Sequence, residues 1–435
     1  DPIVENVAIA QSRGFTKEFP DEVMQEIEDL PDYLTEEDRK GLVDLSHLPF
    51  CTIDPETCKD VDDAVYVEKT DDGFIAYVAL ADVQYYVKPG SKLDAEGFKR
   101  GISCYLGDGV YPMLPEKLSN GICSLNENED RRAFVGKLHI DKNGNILNYD
   151  FLHAVISSKH KLTYQQAQDI HENVQDYGDF KDVKESIDNA YELAKGYFKK
   201  KEQDGALTLK NTEPTFELNE QKDDVTEVVD KTNLTSTKII ESLMCLYDMA
   251  KGDFFTKKGY PVIYRVHEKP EKEKMQRLEN ICKEIGVQFN GSSSSKDLQN
   301  LIESVKGTRY EDFVNKKLLM NLEKAEYSPT NIGHFATANE SYIHSTAAIR
   351  RYGDIIMQRF LVSELNGEKI KYSKEELEKI CNYLTSREIE ADCAERESDQ
   401  LMYTIRAEKL KYKILDSKIS HINTDGLFVT TDKER

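Results

Sequence analysis

The feature that most constrains this chain is the acidic run Thr52-Ile53-Asp54-Pro55-Glu56-Thr57-Cys58-Lys59-Asp60-Val61-Asp62-Asp63-Ala64-Val65-Tyr66. Four aspartates and one glutamate fall within ten residues, directly ahead of an apolar stretch. Carboxylates crowded this closely repel one another, so a folded chain that collects them needs a cation to neutralise them or must leave them in solvent. Hard oxygen donors of this kind suit Mg²⁺, with Mn²⁺ as a second candidate, and such centres serve phosphoryl chemistry. An EF-hand loop counted from Asp54 would require Gly at its sixth position and Glu at its twelfth. The chain has Lys59 and Val65 there, which excludes that reading and leaves a solvated acidic loop as the plain alternative.

Composition bounds the remaining classes. A chain of 435 residues, 39% of them hydrophobic, can bury a large core divided over two or three domains. No apolar run approaches the roughly 18 residues of a membrane span, so no membrane partner is expected. The net charge of −22 argues against a protein that coats nucleic acid with its whole surface. It leaves room for a basic channel, because the field in a cleft follows local placement rather than the sum. Eight cysteines without a CxxC pair read as free thiols of a reducing, cytoplasmic compartment. The opening Asp1-Pro2-Ile3-Val4-Glu5 is neither a signal peptide nor an initiator start, which implies a cut or processed N-terminus.

Residues 1–47 read as acidic helices with Phe15, Phe19, Val23, Ile27 and Leu30 as an apolar stripe. Strands are expected over 64–68 and 74–87, around Asp71-Asp72-Gly73, and over 134–140 and 146–157, around Lys142-Asn143-Gly144. A sheet core between about 48 and 160 follows. Helices dominate from about 160 to 290, interrupted by short strands at 205–209 and 215–218, and return over 301–324 and 373–411. The last residues, with apolar strands at 414–419 and 426–429, read as the start of a small barrel cut short.

A second dense segment is Tyr342-Ile343-His344-Ser345-Thr346-Ala347-Ala348-Ile349-Arg350-Arg351-Tyr352-Gly353-Asp354. Adjacent arginines followed by an aromatic and an aspartate suit a bidentate phosphate clamp with its own orienting carboxylate. An amphipathic helix with a solvated Arg pair is the competing explanation. Together with the acidic run, the pattern becomes cations on one side of a phosphate and guanidinium on the other, a phosphodiesterase arrangement.

Here the chain resembles the ribonuclease II / ribonuclease R family, whose catalytic domain is called RNB. The resemblance is carried by residues 52–64, by Tyr111-Pro112-Met113-Leu114-Pro115-Glu116-Lys117-Leu118-Ser119, by Arg265-Val266-His267-Glu268-Lys269-Pro270, by 325–335 and by 344–354, in family order. It implies an α+β fold, with a mixed sheet flanked by helices enclosing an RNA channel and a partial OB-type (S1) segment at the end. The expected divisions are 1–47, a helical lead-in; 48–405, the catalytic domain; and 406–435, a linker and the first part of an S1 barrel. The implied activity is a metal-dependent 3′→5′ exoribonuclease that hydrolyses single-stranded RNA to nucleoside 5′-monophosphates by a two-metal mechanism, working as a monomer. Under the resemblance, Asp54, Asp60, Asp62 and Asp63 match the Mg²⁺-binding and catalytic aspartates, and Arg350 matches the arginine on the scissile phosphate. Tyr105 matches the aromatic stacked on the 3′-terminal nucleotide, and Glu395 matches a carboxylate near that nucleotide. Arg351 joins the phosphate clamp, and Phe216 matches an aromatic holding bases further up the strand. The chain departs from the family at Thr346-Ala347-Ala348, where Thr-Ser-Pro is common, and it lacks the cold-shock-like barrels that usually precede the domain. Two other classes compete: an RNB-like RNA-binding protein with impaired catalysis, and a phosphoesterase acting on a small molecule.

Overall fold

The structure is a computed structural model that describes residues 2–174, 178–209, 214–219, 225–230, 234–259, 261–369, 372–411, 417–423 and 426–431. Its centre is a mixed sheet of β1 (Val43–Asp44), β2 (Phe50–Asp54), β3 (Asp63–Lys69), β4 (Gly73–Ala81), β7 (Asp130–Asp141) and β8 (Ile146–Thr163), to which the small hairpin β5 (Cys104–Leu106) and β6 (Gly109–Tyr111) is added as a separate unit. β2, β3, β4, β7 and β8 pair in antiparallel succession, and β8 then pairs in parallel with β2. This closes the pairings into a ring. Closure is possible because β8 is 18 residues long: its first part, 146–157, lies on β7, and its last part, 158–163, lies on β2. A closed ring removes the free edges that an open sheet would expose.

One gap remains in the ring, because β2 and β3 meet only at Cys51 and Val65. Helix Lys181–Asp204 completes that edge with side chains. Val67 donates its N–H to Ser186 Oγ (2.8 Å), and Asn189 Nδ2 donates to the Val67 carbonyl (3.1 Å). The turns behave as their residues dictate. Gly144, at the expected hairpin, has φ +84°, a left-handed conformation that glycine adopts without strain. The first expected hairpin is shorter than its apolar run: β4 ends at Ala81 rather than continuing to Val87. Asp82 is buried there against Arg132 Nε (2.8 Å) and His153 Nε2 (2.6 Å). The next two N–H groups, of Val83 and Gln84, donate to Gln358 Oε1 (3.1 Å each) instead of to a strand.

Residues 205–209 are not a strand, contrary to expectation; Leu207 and Leu209 instead pack on a cluster from helices Lys272–Glu284, Ser295–Val305 and Glu311–Asn321. The expected strand at 215–218 is present as β9 (Pro214–Leu218), paired with β10 (Val225–Asp230). Two further strands, β11 (Tyr264–Val266) and β12 (Glu326–Ser328), bring two of the family-like segments side by side. Helix Lys374–Lys409 opens with a capping box between Ser373 and Glu376 and runs 36 residues, about 54 Å. At the end, β13 (Ser417–Asn423) and β14 (Gly426–Thr431) form an antiparallel hairpin; residues 414–416 of the strand expected there lie outside the described residues.

Helix Thr235–Lys258 packs on the ring through a close approach at Gly136, where an added Cβ would stand 2.6 Å from the Tyr247 ring. Tyr247 is fully buried and also meets Phe151 edge-on at 5.5 Å between centroids, so it has nowhere to retreat. Gly136→Ala is therefore expected to destabilise the protein by about 1–3 kcal/mol through overpacking. Urea denaturation should show a lowered midpoint with an unchanged slope; an unchanged midpoint would mean that the helix yields freely.

Candidate active site

The acidic run is the connection from β2 to β3. Asp54 ends β2, Asp63 opens β3, and Asp60 and Asp62 lie between them. The loop is held in place by the segment after Gly121. Val61 donates its N–H to Ser124 Oγ (3.0 Å), the Ser124 hydroxyl donates to the Lys59 carbonyl (2.9 Å), and Leu125 N–H donates to the Val61 carbonyl (3.0 Å).

Asp62 is the most enclosed of the four, 7% exposed. Its Oδ1 accepts the Ile349 N–H at 2.9 Å, and its Oδ2 lies 3.9 Å from Arg350 Nε. Burial pushes its carboxyl up to about 8, against the pull of Arg350 and the Ile349 N–H. Asp54 is pushed up to about 6, again by burial first, with the Lys161 ammonium opposing. Burial, then the neighbouring Asp54 and Asp62, hold Asp63 well above the ordinary carboxylate range. Asp60 accepts a hydrogen bond from the Tyr105 phenol (Oδ2, 3.3 Å) and lies 3.8 Å from Cys58 Sγ (Oδ1).

Tyr105 is turned to the site by strand alternation. Cys104 and Leu106 on β5 point into a small core with Phe15, Ala391 and Ala394, so the residue between them faces outward, 37% exposed. The same core fixes β5 to the long helix that carries Glu395, whose Oε1 receives the Tyr105 N–H at 3.4 Å. Arg350 is anchored through its backbone: Ser103 N–H donates to its carbonyl (2.9 Å), and Tyr352 N–H donates to the Gly101 carbonyl (2.9 Å). The Arg350 side chain is left half-exposed above Asp62.

Asp54, Asp60, Asp62, Asp63, Tyr105, Arg350 and Glu395 are thus brought to one place. Of the two remaining expected residues, Arg351 departs from the clamp and Phe216, expected further along the strand, lies away from the aspartates. Arg351 turns inward, its Nη2 and Nε 2.7 and 3.1 Å from Asp354 Oδ2. Phe216, on β9, meets Tyr403 edge-on at 5.0 Å. Tyr403 lies two turns beyond Glu395, about 12 Å along the same helix. Lys161 and Tyr164 were missed in the sequence. The parallel register of β8 on β2 sets Lys161 opposite Thr52 and Thr163 opposite Asp54. Lys161 Nζ donates to the Cys58 carbonyl at 2.5 Å. Burial and the Asp63 and Asp54 charges raise the Tyr164 phenol.

The donor set fits a hard divalent cation. Asp54 Oδ2 is buried without a hydrogen-bond partner among the described residues, and three carboxyls are raised by burial first, with Asp60 adding to Asp54 and Asp62, and those two adding to Asp63, a tension that a cation would relieve. Among the described residues, no three His, Cys, Asp or Glu side chains already stand close enough together to cage a metal ion.

Enclosed carboxylates, a guanidinium beside them and an aromatic at the rim thus meet within a mixed α/β domain. Comparison with known proteins makes the class specific: a family model described as the RNB domain matches residues 42–367. The chain belongs to the RNB-domain family. It is 35% identical to ribonuclease R of Thermotoga maritima over 95% of its own length and 59% of the relative's. It therefore spans little more than half of that relative. Among solved structures it is similar to Mycoplasma genitalium RNase R in complex with ribose-methylated single-stranded RNA, with a TM-score of 0.92, 30% identity, all of this chain and 69% of that one. The complex of the same enzyme with double-stranded RNA matches with a TM-score of 0.94, 30% identity, all of this chain and 78% of that one.

The raised carboxyls fix the sign of a pH effect. A folded-state value above the unfolded one, near 3.9 for Asp, means that the folded protein holds the proton more tightly. The stability so gained is complete below pH 4 and is lost as pH rises through about 6 for Asp54 and about 8 for Asp62. In EDTA, the Tm should fall between pH 5 and 8.5, and Asp62→Asn should flatten that decline above pH 6. A parallel decline in both proteins would place the titration elsewhere.

Proposed function

We propose that this chain is the catalytic part of a hydrolytic 3′→5′ exoribonuclease that degrades single-stranded RNA to nucleoside 5′-monophosphates. The observation that carries the reading is the meeting of Asp62 with Arg350 and the Ile349 N–H, 287 residues away in sequence, beside three further aspartates and Tyr105. Membership of the RNB family, and RNase R relatives solved with RNA, support it.

In this mechanism, Asp54, Asp60, Asp62 and Asp63 would hold Mg²⁺ (or Mn²⁺). The bound metal would supply an activated water and a stabilised leaving oxygen. The protein does the rest. Arg350 sets its guanidinium on the non-bridging oxygens, where charge grows during the displacement. Tyr105 stacks on the last base and stops the 3′ end at a fixed distance from Asp62; a stacking face accepts any base, so cleavage is sequence-tolerant. Glu395, on the Tyr105 N–H, fixes that aromatic and lies near the terminal nucleotide, while Phe216 with Tyr403 clamps bases further up the strand. Contacts to 2′-hydroxyls would distinguish RNA from DNA. Arg351, bound to Asp354, serves the clamp from behind rather than by touching RNA.

The same reading places the protein in the cytoplasm as a monomer, with a catalytic domain over 48–405 and the 417–431 hairpin as the first part of an S1 barrel. Among the described residues, no helix is long and apolar enough to cross a membrane.

A 5′-labelled single-stranded RNA tests the reading. With Mg²⁺ the chain should give a shortening ladder ending at a few nucleotides, absent in EDTA. Asp62→Asn should lower the rate by about 10²–10³-fold or more while RNA affinity stays within about threefold, because it removes catalytic charge and no strand contact. Tyr105→Ala should change the length of the final product. Tight binding with no shortening by the unmutated chain would assign it instead to the RNA-binding class.

A further inference from the structure

The turn that presents Arg350 contains no proline. It runs Ala347-Ala348-Ile349-Arg350, closed by the Arg350 and Arg351 N–H groups on the Ala347 carbonyl (3.2 and 2.9 Å). Proline is favoured at the second position of such a turn because its φ is already set, but here that position is Ala348. The 101–103 segment holds the far end of the turn, at the Arg350 carbonyl and the Tyr352 N–H, and the near end, at Ser345 to Ala347, needs holding groups of its own.

The holding groups lie underneath. Helix Thr235–Lys258 contributes Asp248, 2% exposed, whose Oδ1 accepts both the Ser345 N–H (3.0 Å) and the Ser345 hydroxyl (2.7 Å). Two residues on, the Ala347 N–H donates to Asp354 Oδ2 (2.8 Å), the oxygen that also receives Arg351. Lys251, one turn after Asp248, is fully buried with its Nζ over the Tyr247 ring, 5.6 Å from the centroid, and no hydrogen-bond partner is found for that nitrogen among the described residues; burial pushes Asp248 up to about 7 and Lys251 down to about 8, and the charge of each opposes the shift of the other. Two carboxylates and two basic side chains therefore share the space beneath the turn, with Asp248, Lys251 and Asp354 buried. Burying such a set is unfavourable unless it is complete, since removing one member leaves an uncompensated charge. With no hydrogen bond found for it among the described residues, Lys251 contributes a positive charge that favours the ionised form of the carboxylate holding Ser345.

We propose that Asp248, supported by Lys251, is a positioning residue for Arg350: with Ser345, Arg351 and Asp354 it forms a buried brace that does for the Ala347-Ala348 turn what a proline would do. The inference rests on the exoribonuclease reading for the meaning of Arg350, while the brace itself is a statement about the turn. It predicts that the chemistry depends on a residue that touches neither RNA nor metal, since a displacement of about 1 Å at a reacting group can lower a rate by about 100-fold.

Asp248→Ala, Asp248→Asn and Asp248→Ala with Ala348→Pro should be compared by hydrogen exchange and by single-stranded RNA degradation. In Asp248→Ala, exchange should quicken within residues 343–352 while the ring strands keep their protection. The kcat should fall about 10- to 100-fold, with KM within about threefold. Asp248→Asn keeps an acceptor for Ser345 and should lose less, and Ala348→Pro should restore a substantial part of the lost kcat. Unchanged local exchange and unchanged kcat in Asp248→Ala would overturn the proposal. So would a loss accompanied by general deprotection and not rescued by Ala348→Pro, which would make Asp248 an ordinary core residue. Should Asp248→Ala fail to fold, Ser345→Ala, which removes only the hydroxyl bond, decides by the same local exchange. If the unmutated chain shortens no RNA, the exoribonuclease reading fails, and the exchange data alone decide the brace.

Discussion

The arrangement depends on one electrostatic constraint: Asp54, Asp60, Asp62 and Asp63 share a single connection at the end of a closed sheet, and three of them are pushed upward by burial and by one another. Like charges in a poorly solvated place are stable only if positive groups arrive from elsewhere. They come from segments far apart in the chain. Arg350 and the Ile349 N–H come from the second motif, and Lys161 comes from the far end of β8. Each supplier needs its own anchor, and much of the surrounding fold can be understood as a set of anchors. The ring closure sets β8 against β2, the 101–103 segment holds the Arg350 backbone, and the Ser124 turn holds the loop. A chain of net charge −22 can in this way offer guanidinium and ammonium groups at one point, because placement rather than total charge sets the local field.

What was legible in the sequence was whatever the local chain determines. Crowded aspartates single out the 54–63 connection whatever the fold; Asn143-Gly144 announces a turn because few residues tolerate the φ of +84° at Gly144, and at Asp72-Gly73 the glycine leaves room for the Ile140 carbonyl. The order of the family-like segments placed Tyr105 and Glu395, which sit together on β5 and the long helix. Pairings over long separations were hidden. Nothing in residues 158–163 signals a parallel partner a hundred residues earlier, so Lys161 and Tyr164 could not be connected with Asp54. The end of β4 was hidden for a related reason. The apolar run continues to Val87, but Asp82 is claimed by Arg132 and His153 from β7 and β8, and that tertiary bond outweighs local strand preference.

Arg350 and Arg351 show the limit of motif chemistry most clearly. In sequence they are the same residue twice, and a phosphate clamp made of both is a fair expectation. In the structure, Arg351 is bridged through its backbone to Ile102 and enters the helix Tyr352–Leu365, which sends its side chain to the buried Asp354 and leaves only Arg350 facing the carboxylates. The pair is one contact and one anchor.

That division explains why the turn between them needs two carboxylates of opposite character. On the open side, Asp62 receives the Ile349 N–H, while its other oxygen faces Arg350 and its proton affinity is raised by burial. A group poised to change its charge cannot also be the fixed point of the backbone that it depends on. On the closed side, Asp354 is fully buried and is bound by Arg351 and the Ala347 N–H. The turn is held from behind by a carboxylate that keeps its partners, so that the one in front is free to change its own. Separating the anchoring charge from the working charge lets a site keep its geometry while its protonation and its ligands change.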